Sequence, residues 1–356
     1  MLRQLARLTR SVPSAGPRAL AIAVYADATD VTVEAREAGP EGVACVDDAA
    51  RALELYCDLW DATRLPWVHR WCEGLLDFVL FMQEPDGRWL NFILDWDGTP
   101  NRTGRTSVAG GGFWQSRALV ALTRASRSLD DDRIGGALAS GLPHILNVAA
   151  AASDVRALHA SVALAWIERG DDTYGWRDVL AGWCEEIVTC RIDDILMNAG
   201  AERGQPHLWG HVQEGVLADA GVCLRRDDLI ATAVRSAELL YPAVIGGCFA
   251  LPRTQPYDVA SAIYSLTRLA GVTGRSDFAA LAVSAREWFD GRNTGHQAVY
   301  DRETGRVADG LDGNRVSTRS GAEANIVAGQ ALLDEAISLA RTLPIEMAMP
   351  LSVSLG

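Results

Sequence analysis

Apolar residues recur along most of the chain at intervals of three and four, which is the spacing of one face of an α-helix. Stretches that alternate apolar and polar residues, as β-strands do, are few. The pattern predicts helices over residues 45–60, 67–82, 113–129, 132–150, 154–169, 174–190, 208–224, 226–243, 257–271, 276–290 and 321–341. The sequence therefore predicts an all-α protein.

The predicted helices form pairs in which one member is almost wholly apolar and its successor has a charged face. The less polar members begin near residues 45, 113, 154, 208, 257 and 321, and the N-terminal segment or the tail is left to supply a twelfth helix. We predict an (α/α)6 toroid of alternating inner and outer helices. It would be a single domain over 1–356, with residues 1–40 packed on the outside or the rim. A helical solenoid is the alternative, but the repeats share no consensus.

The connections between helices are unequal in length. Those from an outer helix to the next inner helix are often long, at 89–112, 198–207, 246–256 and 294–323. In a toroid they open at one end, beside the N-termini of the inner helices. Long loops often carry function, so we expect the site at that rim.

Acidic residues lie at the first turn of several predicted inner helices, including Asp47, Asp48, Asp258 and Glu323. Hydrolysis of a glycosidic bond needs one carboxylic acid and a second carboxylate, so these residues are catalytic candidates. Asp48 is the first choice. It falls on the apolar face of its helix, where an unpaired carboxylate is costly.

The same residues also have structural interpretations. Asp47, Arg51, Glu54 and Asp58 form one stripe, which a solvated helix face would explain. Either Asp47 or Asp48 could be the N-cap of its helix. Ser320 to Glu323 reads as a capping box, and Asp258 follows Pro256 as a first-turn acid.

Aromatic and histidine side chains lie on or beside the long loops. Trp89, Trp114 and Trp209 are predicted to line sugar subsites, because indole faces stack on sugar rings. The segment HLWGHVQE places His207, His211 and Glu214 on one face if it is helical. That spacing could ligate a metal, but no HExxH pattern supports it. We therefore predict that His211 and Glu214 contact sugar hydroxyls, or that a histidine here shuttles a proton, and we predict no metal.

Composition narrows the function further. The net charge of −13 disfavours nucleic acid and anionic membranes as partners. All basic residues are arginine, which excludes catalytic lysine, a pyridoxal-phosphate lysine and a P-loop lysine. We predict no cofactor.

Two features bear on location. The seven cysteines form no CxxC pair, which indicates buried, reduced thiols in a cytoplasmic protein. The run ALAIAVYADA resembles the apolar region of a signal peptide, but it is near the lower length limit of such regions. No apolar run reaches the length of a membrane span. We expect a cytoplasmic protein.

Several segments resemble a known family. EGVACVDDAARAL (41–53) is similar to the CxDDxARAL signature of bacterial six-hairpin glycosidase-like proteins, which are often encoded with or fused to glycosyltransferases. The segments 110–122, 255–258 and 288–325 resemble further elements of that family in the same order. The resemblance implies a carbohydrate-processing (α/α)6 barrel and a possible glycosyltransferase partner. The positions that match its motifs are Asp47, Asp48, Arg51, Asp258, Asp309, Arg319 and Glu323.

The chain departs from the family pattern in one place. Phe113 and Trp114 stand where an acidic residue often precedes the Gly-Arg pair, which here reads Ser116-Arg117. Asp95 or Asp97 from the preceding loop is a substitute for that acid.

Together these features predict a glycoside hydrolase acting on a small saccharide or oligosaccharide. Asp48 would pair with Asp258 or Glu323, and Arg51 and Arg319 would tune carboxylate pKa values or bind an acidic sugar. A sugar isomerase or 2-epimerase is one alternative, and it would need histidines such as His211 and His296. A non-catalytic glycan-binding partner of a glycosyltransferase is another. A terpene cyclase fits poorly, because DDAAR lacks the last aspartate of DDxxD.

Overall fold

The computed structural model describes residues 1–36, 39–199 and 207–350 of the chain. Across these residues the helices are α1 (Leu2–Leu8), α2 (Val46–Thr63), α3 (Pro66–Phe81), α4 (Gly112–Ala125), α5 (Asp132–Gly141), α6 (Pro143–Leu146), α7 (Ser153–Glu168), α8 (Trp176–Thr189), α9 (Gln213–Leu224), α10 (Asp227–Gly246), α11 (Pro256–Thr273), α12 (Ser276–Arg286), α13 (Ala322–Ala331), α14 (Leu333–Thr342) and α15 (Ile345–Ala348). The predicted all-α class is confirmed.

The strands are short and antiparallel, and they lie in the loops between helices. They are β1 (Thr9–Ser11), β2 (Leu20–Ile22), β3 (Tyr25–Ala26), β4 (Thr32–Val33), β5 (Ala44–Cys45), β6 (Phe92–Ile93), β7 (Arg191–Ile192), β8 (Ile195–Leu196), β9 (Arg253–Thr254), β10 (Tyr300–Asp301), β11 (Arg306–Val307), β12 (Leu311–Asp312) and β13 (Arg315–Val316). Strand β5 pairs with β6 directly before α2, with Cys45 opposite Phe92. This pairing ties the start of α2 to the long loop after α3.

The chain divides into two compact units. The first comprises residues 1–147, 300–309 and 317–356, and the second comprises residues 148–299 and 310–316. That the whole chain forms one domain stays a prediction.

In the first unit, α2 packs against α3, and α4 packs against α5, as the hairpin pattern predicts. The less polar helices α2, α4 and α13 also meet, because α2 contacts both of the others. Helix α1 contacts α13, α14 and α15, so the N-terminal segment packs against the last predicted helix. The segment that resembles a signal peptide forms β2 and β3, and Leu20 to Val24 are buried in the core.

In the second unit, α7 packs against α8, α9 against α10, and α11 against α12. Helix α9 lies beside both α7 and α11, so the less polar member of each pair contacts its counterpart in the next. Most residues of the less polar helices are buried in this arrangement, while the amphipathic helices keep one exposed face.

Several helix boundaries differ from the prediction. The helix predicted over 132–150 ends at Gly141, and α6 restarts at Pro143. A proline is tolerated in the first turn of a helix but not in its interior, which explains this break. The helix predicted over 321–341 is interrupted at Leu332. Helix α9 begins at Gln213 rather than near residue 208.

Among the described residues, helix α10 is long and apolar enough to cross a membrane, judged by length and composition alone. The sequence pattern predicts no membrane span. Its Leu229, Ala233, Leu240 and Tyr241 are buried, whereas Arg235 on another face pairs with Asp194 at 3.2 Å. One buried face and one charged face are typical of an amphipathic helix packed on one side.

All seven cysteines are free thiols. Four of them are buried, namely Cys45, Cys57, Cys72 and Cys184, and the other three are half-buried. This agrees with the prediction of reduced thiols that pack as small apolar residues.

Candidate active site

The N-terminus of α2 is capped by a cysteine. The Asp48 N–H donates to Cys45 Sγ at 3.4 Å, and the Cys45 thiol donates to Asp48 Oδ2 at 3.3 Å. The prediction that Asp47 or Asp48 is the N-cap is therefore wrong. Asp48 lies in the first turn and is 4% exposed, in agreement with its place on the apolar face.

Arg51 joins two carboxylates from distant parts of the chain. Its Nη2 donates to Asp48 Oδ1 at 2.7 Å, and its Nη1 donates to Glu323 Oε2 at 3.0 Å. The two Nη atoms of a planar guanidinium are about 2.3 Å apart, so the two bound carboxylate oxygens are at most about 8 Å apart. The first turns of α2 and α13 thus bring Asp48 and Glu323 to one place.

Asp47 faces a second arginine. Arg117 of α4 donates a hydrogen bond to Asp47 Oδ2, and Arg51 Nη2 lies 3.7 Å from the same oxygen. The Asp47 N–H donates to Asn91 Oδ1 at 3.1 Å, and the Arg117 guanidinium lies 5.0 Å from the centre of the Phe113 ring. We call Asp47, Asp48, Arg51, Arg117 and Glu323 the carboxylate–arginine cluster.

The interpretation of the α2 stripe as a solvated face is wrong. Arg51 is 4% exposed, and Asp58 accepts a hydrogen bond from Arg124 of α4 at 2.8 Å. Glu54 lies half-buried between these pairs. Burial raises the pKa of Glu54 to about 8, the charge of Asp58 adds to this, and Arg117 and Arg124 oppose it. The stripe therefore packs against the arginines of α4.

The two carboxyls held by Arg51 have different environments. Burial raises the pKa of Asp48 to about 6; Arg51 opposes this shift, and the charges of Glu323 and Asp47 add to it. The Glu323 side chain is 27% exposed, so water reaches it. The cluster thus places one carboxyl that holds its proton up to about pH 6 beside one that is open to solvent.

Glu323 does not belong to a capping box. The N-cap of α13 is Gly321, and Ser320 Oγ donates to the carbonyl of Val307 at 2.8 Å. Asp309 Oδ1 instead accepts the Gly321 N–H at 2.6 Å. Asp309 therefore holds the start of α13 in place, and Glu323 remains available to Arg51.

The other residues predicted in the first unit have different exposures. Trp89 is fully buried, and its Nε1–H donates to the carbonyl of Val79 at 2.8 Å. Its ring is a core contact that cannot stack on a sugar, which corrects the prediction. Trp114 is half-buried and donates to the carbonyls of Trp89 and Val108. Asp97 and Arg319 are exposed, and their roles stay predictions.

A buried polar network lies in the second unit. His211 Nε2 is 3.0 Å from Glu214 Oε1, which also accepts from Ser236 Oγ at 2.7 Å. Tyr241 Oη donates to Glu214 Oε2 at 3.0 Å, and His211 Nδ1 lies 2.6 Å from Asn198 Oδ1. We call these five residues the histidine network.

Glu214 and His211 are charged partners inside this network. Both ring nitrogens of His211 lie within hydrogen-bond distance of an oxygen atom, Nδ1 of Asn198 Oδ1 and Nε2 of Glu214 Oε1. Burial acts to raise the pKa of Glu214, but His211 and Ser236 outweigh it and hold that pKa below its usual value. Both side chains are at most 1% exposed, so their predicted contacts to substrate hydroxyls are not available in this structure.

The helical arrangement predicted for HLWGHVQE is wrong. Gly210 has φ of +66°, in the left-handed region, and the His211 N–H donates to the carbonyl of Leu208 in a turn. Helix α9 begins only after this turn, so His207 and His211 precede it. His207 is exposed, whereas His211 is buried, so they share no helix face.

Two further predicted residues lie in the second unit. Trp209 is half-buried and packs edge-on against Tyr257, with ring centres 5.1 Å apart. Asp258 Oδ2 accepts the Gln255 N–H at 2.6 Å and completes a capping box at the start of α11. The structural interpretation of Asp258 as a first-turn acid therefore accounts for its position.

Metal ligands do not gather in the described part of the chain. Within residues 1–36, 39–199 and 207–350, no group of three or more His, Cys, Asp or Glu side chains is arranged to hold a metal ion.

Some residues of these sites had no assigned role in the sequence. The Ser116-Arg117 pair was a visible signal for Arg117, because it stands where the resemblance has its arginine. The position of Cys45 three residues before Asp48 was a signal for the cap of α2, since the third residue of a helix commonly forms hydrogen bonds with the N-cap residue. Asn198, Ser236 and Tyr241 carried no sequence signal, because their partners are remote along the chain.

Comparisons with solved structures agree on one fold. A D-mannose isomerase matches with a TM-score of 0.69 at 10% identity, over 94% of this chain and 96% of the other. The cellobiose 2-epimerase of Bacillus thermoamylovorans B4167 matches with a TM-score of 0.68 at 11% identity, over 94% and 96%. A family 76 glycoside hydrolase from a bovine Bacteroides thetaiotaomicron strain matches with a TM-score of 0.65 at 8% identity, over 94% of this chain and 76% of the other. No protein-family model and no curated protein sequence matches the chain.

Proposed function

We propose that this chain, which has the six-hairpin glycosidase-like (α/α)6 barrel fold, is a glycoside hydrolase with Asp48 and Glu323 as its acid/base pair. The observation that carries the proposal is that one Arg51 guanidinium holds both carboxyls. One of them is buried with a raised pKa, and the other is half-buried and reaches solvent. Opposed environments of this kind separate the roles of acid and base.

The proposed reaction uses the two carboxyls in sequence. Asp48 donates its proton to the glycosidic oxygen, so that the leaving sugar departs as an alcohol. Glu323 either attacks the anomeric carbon or removes a proton from an attacking water. The water supplies the hydroxyl of the second product. The limit of about 8 Å between the bound oxygens fits both arrangements.

The remaining residues of the cluster act through these two. Arg51 is a positioning residue that fixes the separation of the carboxyls. Asp47 raises the pKa of Asp48 through its charge, and Arg117 holds Asp47 in place. Phe113 and Trp114, both half-buried at the start of α4, are the aromatic side chains proposed to contact a sugar ring.

The solved structures support a saccharide as the substrate. Those named above are described as a mannose isomerase, a cellobiose 2-epimerase and a glycoside hydrolase, all of which act on sugars. They differ in reaction, so the choice of hydrolysis depends on the cluster.

The proposal is tested by the products that the purified protein forms. We would incubate it in D2O with α- and β-linked disaccharides and oligosaccharides, and follow the products by mass spectrometry and proton NMR. Hydrolysis is expected to release a monosaccharide without deuterium on carbon, and the first anomer formed reports retention or inversion. A product of unchanged length with deuterium at C2 would contradict hydrolysis.

The pH dependence of the reaction gives a separate prediction. A general acid must be protonated, so kcat/KM is expected to fall as the pH rises through about 6, where Asp48 loses its proton. Because Arg51 lowers the pKa of Asp48, Arg51→Gln is expected to move this alkaline limb to higher pH. The measurement is kcat/KM for both proteins from about pH 4 to about pH 9, a range that includes the expected fall in rate on both sides of its midpoint. An unmoved limb would assign the titration to another group.

A sugar isomerase or 2-epimerase is the second candidate. It is favoured by the higher TM-scores of the isomerase and epimerase structures, 0.66 to 0.69, than of the family 76 hydrolases, 0.57 and 0.65. Of its two predicted histidines, His211 is buried with both ring nitrogens occupied, and His296 is exposed. The C2 deuterium readout separates this candidate from hydrolysis.

A further inference from the structure

A cavity of about 420 Å³ lies in the first unit, lined by none of the residues of the carboxylate–arginine cluster. Its walls come from α1, β1, the loop before β4 and the segment around α15. They are formed by Arg3, Ala6, Arg7, Arg10, Asp30, Glu346, Met347 and Met349. A volume of this size is within the range of about 300–1,000 Å³ that small-molecule sites occupy.

Within the described residues, three half-buried arginines of this cavity donate hydrogen bonds to uncharged oxygen atoms. Arg3 Nη2 donates to the carbonyl of Arg302 at 3.0 Å. Arg7 Nη1 donates to Gln4 Oε1 at 2.9 Å and to the carbonyl of Thr304 at 3.0 Å. Arg10 Nη1 donates to the carbonyl of Thr9 at 2.9 Å and to that of Arg7.

Many arginines of this acidic chain are neutralised by ion pairs with carboxylates, but the three arginines of the cavity are not. Over the ranges that the structure describes, Arg3, Arg7 and Arg10 form no salt bridge, although the whole sequence has 46 acidic residues and 33 basic ones. Arg3 and Arg7 are four residues apart on one helix face, where like charges repel. Within the described residues, the remaining donor groups of these three guanidiniums form no salt bridge, although the charge of Arg3 also acts on the Asp301 carboxylate.

The acidic residues of the cavity do not balance this charge. The Asp30 carboxylate already accepts from Arg306 at 2.6 Å and from Gln4 at 2.7 Å. Glu346 is exposed and lines the same cavity as the three arginines. The cavity thus has an excess of positive charge in a chain whose net charge is −13.

We propose that this cavity is a binding site for a small molecule that carries a phosphate monoester. Guanidinium groups offer planar pairs of N–H donors that match phosphate oxygens. Ala6, Met347 and Met349 supply an apolar wall against which the carbon skeleton of the ligand can pack. The site is independent of the proposed hydrolase reaction, since its residues lie outside the carboxylate–arginine cluster.

Isothermal titration calorimetry tests the site with four probes: glucose 6-phosphate, inorganic phosphate, glucuronate and glucose. We expect glucose 6-phosphate to bind most tightly, inorganic phosphate more weakly, and glucose not at all. Arg7→Gln is expected to weaken binding of glucose 6-phosphate by about 10- to 100-fold, the effect of losing a charge-assisted hydrogen bond. Arg7→Lys is expected to restore part of it, because a lysine keeps the charge without the planar pair of donors.

Two controls keep the result specific. Arg292→Gln removes an exposed arginine of the second unit and is expected to leave binding unchanged. Arg3→Gln is a second test of the cavity, should Arg7→Gln disturb the contact of α1 with Thr304. The proposal is overturned if no phosphate compound binds below about 10 mM. It is equally overturned if glucuronate binds as tightly as glucose 6-phosphate, or if Arg3→Gln and Arg7→Gln both bind like the wild type.

Discussion

Asp48→Asn is expected to lower kcat/KM by about 100- to 10,000-fold on whichever glycoside the wild type hydrolyses, because the amide cannot donate the proton that general acid catalysis needs. Asparagine has nearly the shape of the protonated aspartic acid, and the raised pKa of Asp48 shows that its burial favours that uncharged form. The fold is therefore expected to survive the substitution. The measurement is kcat/KM, with thermal unfolding of the same sample as a check on folding.

Glu323→Gln is the partner experiment, with a comparable loss expected from removal of the base or nucleophile. A comparison of substrates with different leaving groups distinguishes the loss of the acid from the loss of the base or nucleophile, and both from general damage to the site. If Asp48 is the acid, substrates with a good leaving group, such as nitrophenyl glycosides, retain much of their rate in Asp48→Asn but not in Glu323→Gln. Asp132→Asn, an exposed acid at the start of α5, is the matched control and is expected to keep full activity. Full activity in Asp48→Asn would refute the assignment of the acid.

Glu214→Ala is expected to lower the free energy of unfolding by about 3–5 kcal/mol, the cost of removing one partner of a buried ion pair. The substitution removes the carboxylate that faces His211 Nε2, and it removes the acceptor of Ser236 and Tyr241. The Glu214 side chain is fully buried, so solvent cannot replace these contacts. The measurement is the urea unfolding curve followed by circular dichroism.

Tyr241→Phe is the matched control for this effect. It removes one hydrogen bond to Glu214 and keeps the ring, so a loss of about 1–2 kcal/mol is expected. The sequence predicted that Glu214 contacts the substrate, and the same pair of variants decides between the two roles. An unchanged unfolding curve for Glu214→Ala, together with a raised KM, would favour the substrate contact.

The start of α2 shows which features of the site could be predicted from the sequence. Helical spacing alone places Asp48 on the buried face, and the structure agrees. The same spacing separates Asp48 from Arg51, but the structure joins the two side chains at 2.7 Å. It could not show that Cys45 caps the helix, because an N-cap depends on the backbone conformation where the preceding strand ends. It also could not show the Glu323 partner of Arg51, which lies 272 residues away.

Errors in the predicted site have the same origin. Trp89 was assigned to a subsite from its place beside a long loop, but its indole is enclosed beneath α5, against Gly141. The histidine pair was placed on a helix, but Gly210 adopts the left-handed conformation and delays the start of α9. Loop position and residue type do not reveal enclosure, which depends on segments that meet only after folding.

The sequence by itself determined the helical class, the pairing of apolar and amphipathic helices, and the acidic first turns of α2 and α13. These features depend on the period of a helix and on residues within about four positions of each other, which a linear pattern records. The tertiary structure decided which carboxyls share an arginine, which tryptophan is buried, and that Arg3, Arg7 and Arg10 line one cavity. Each of these depends on contacts between segments remote along the chain, for which one sequence holds no local signal.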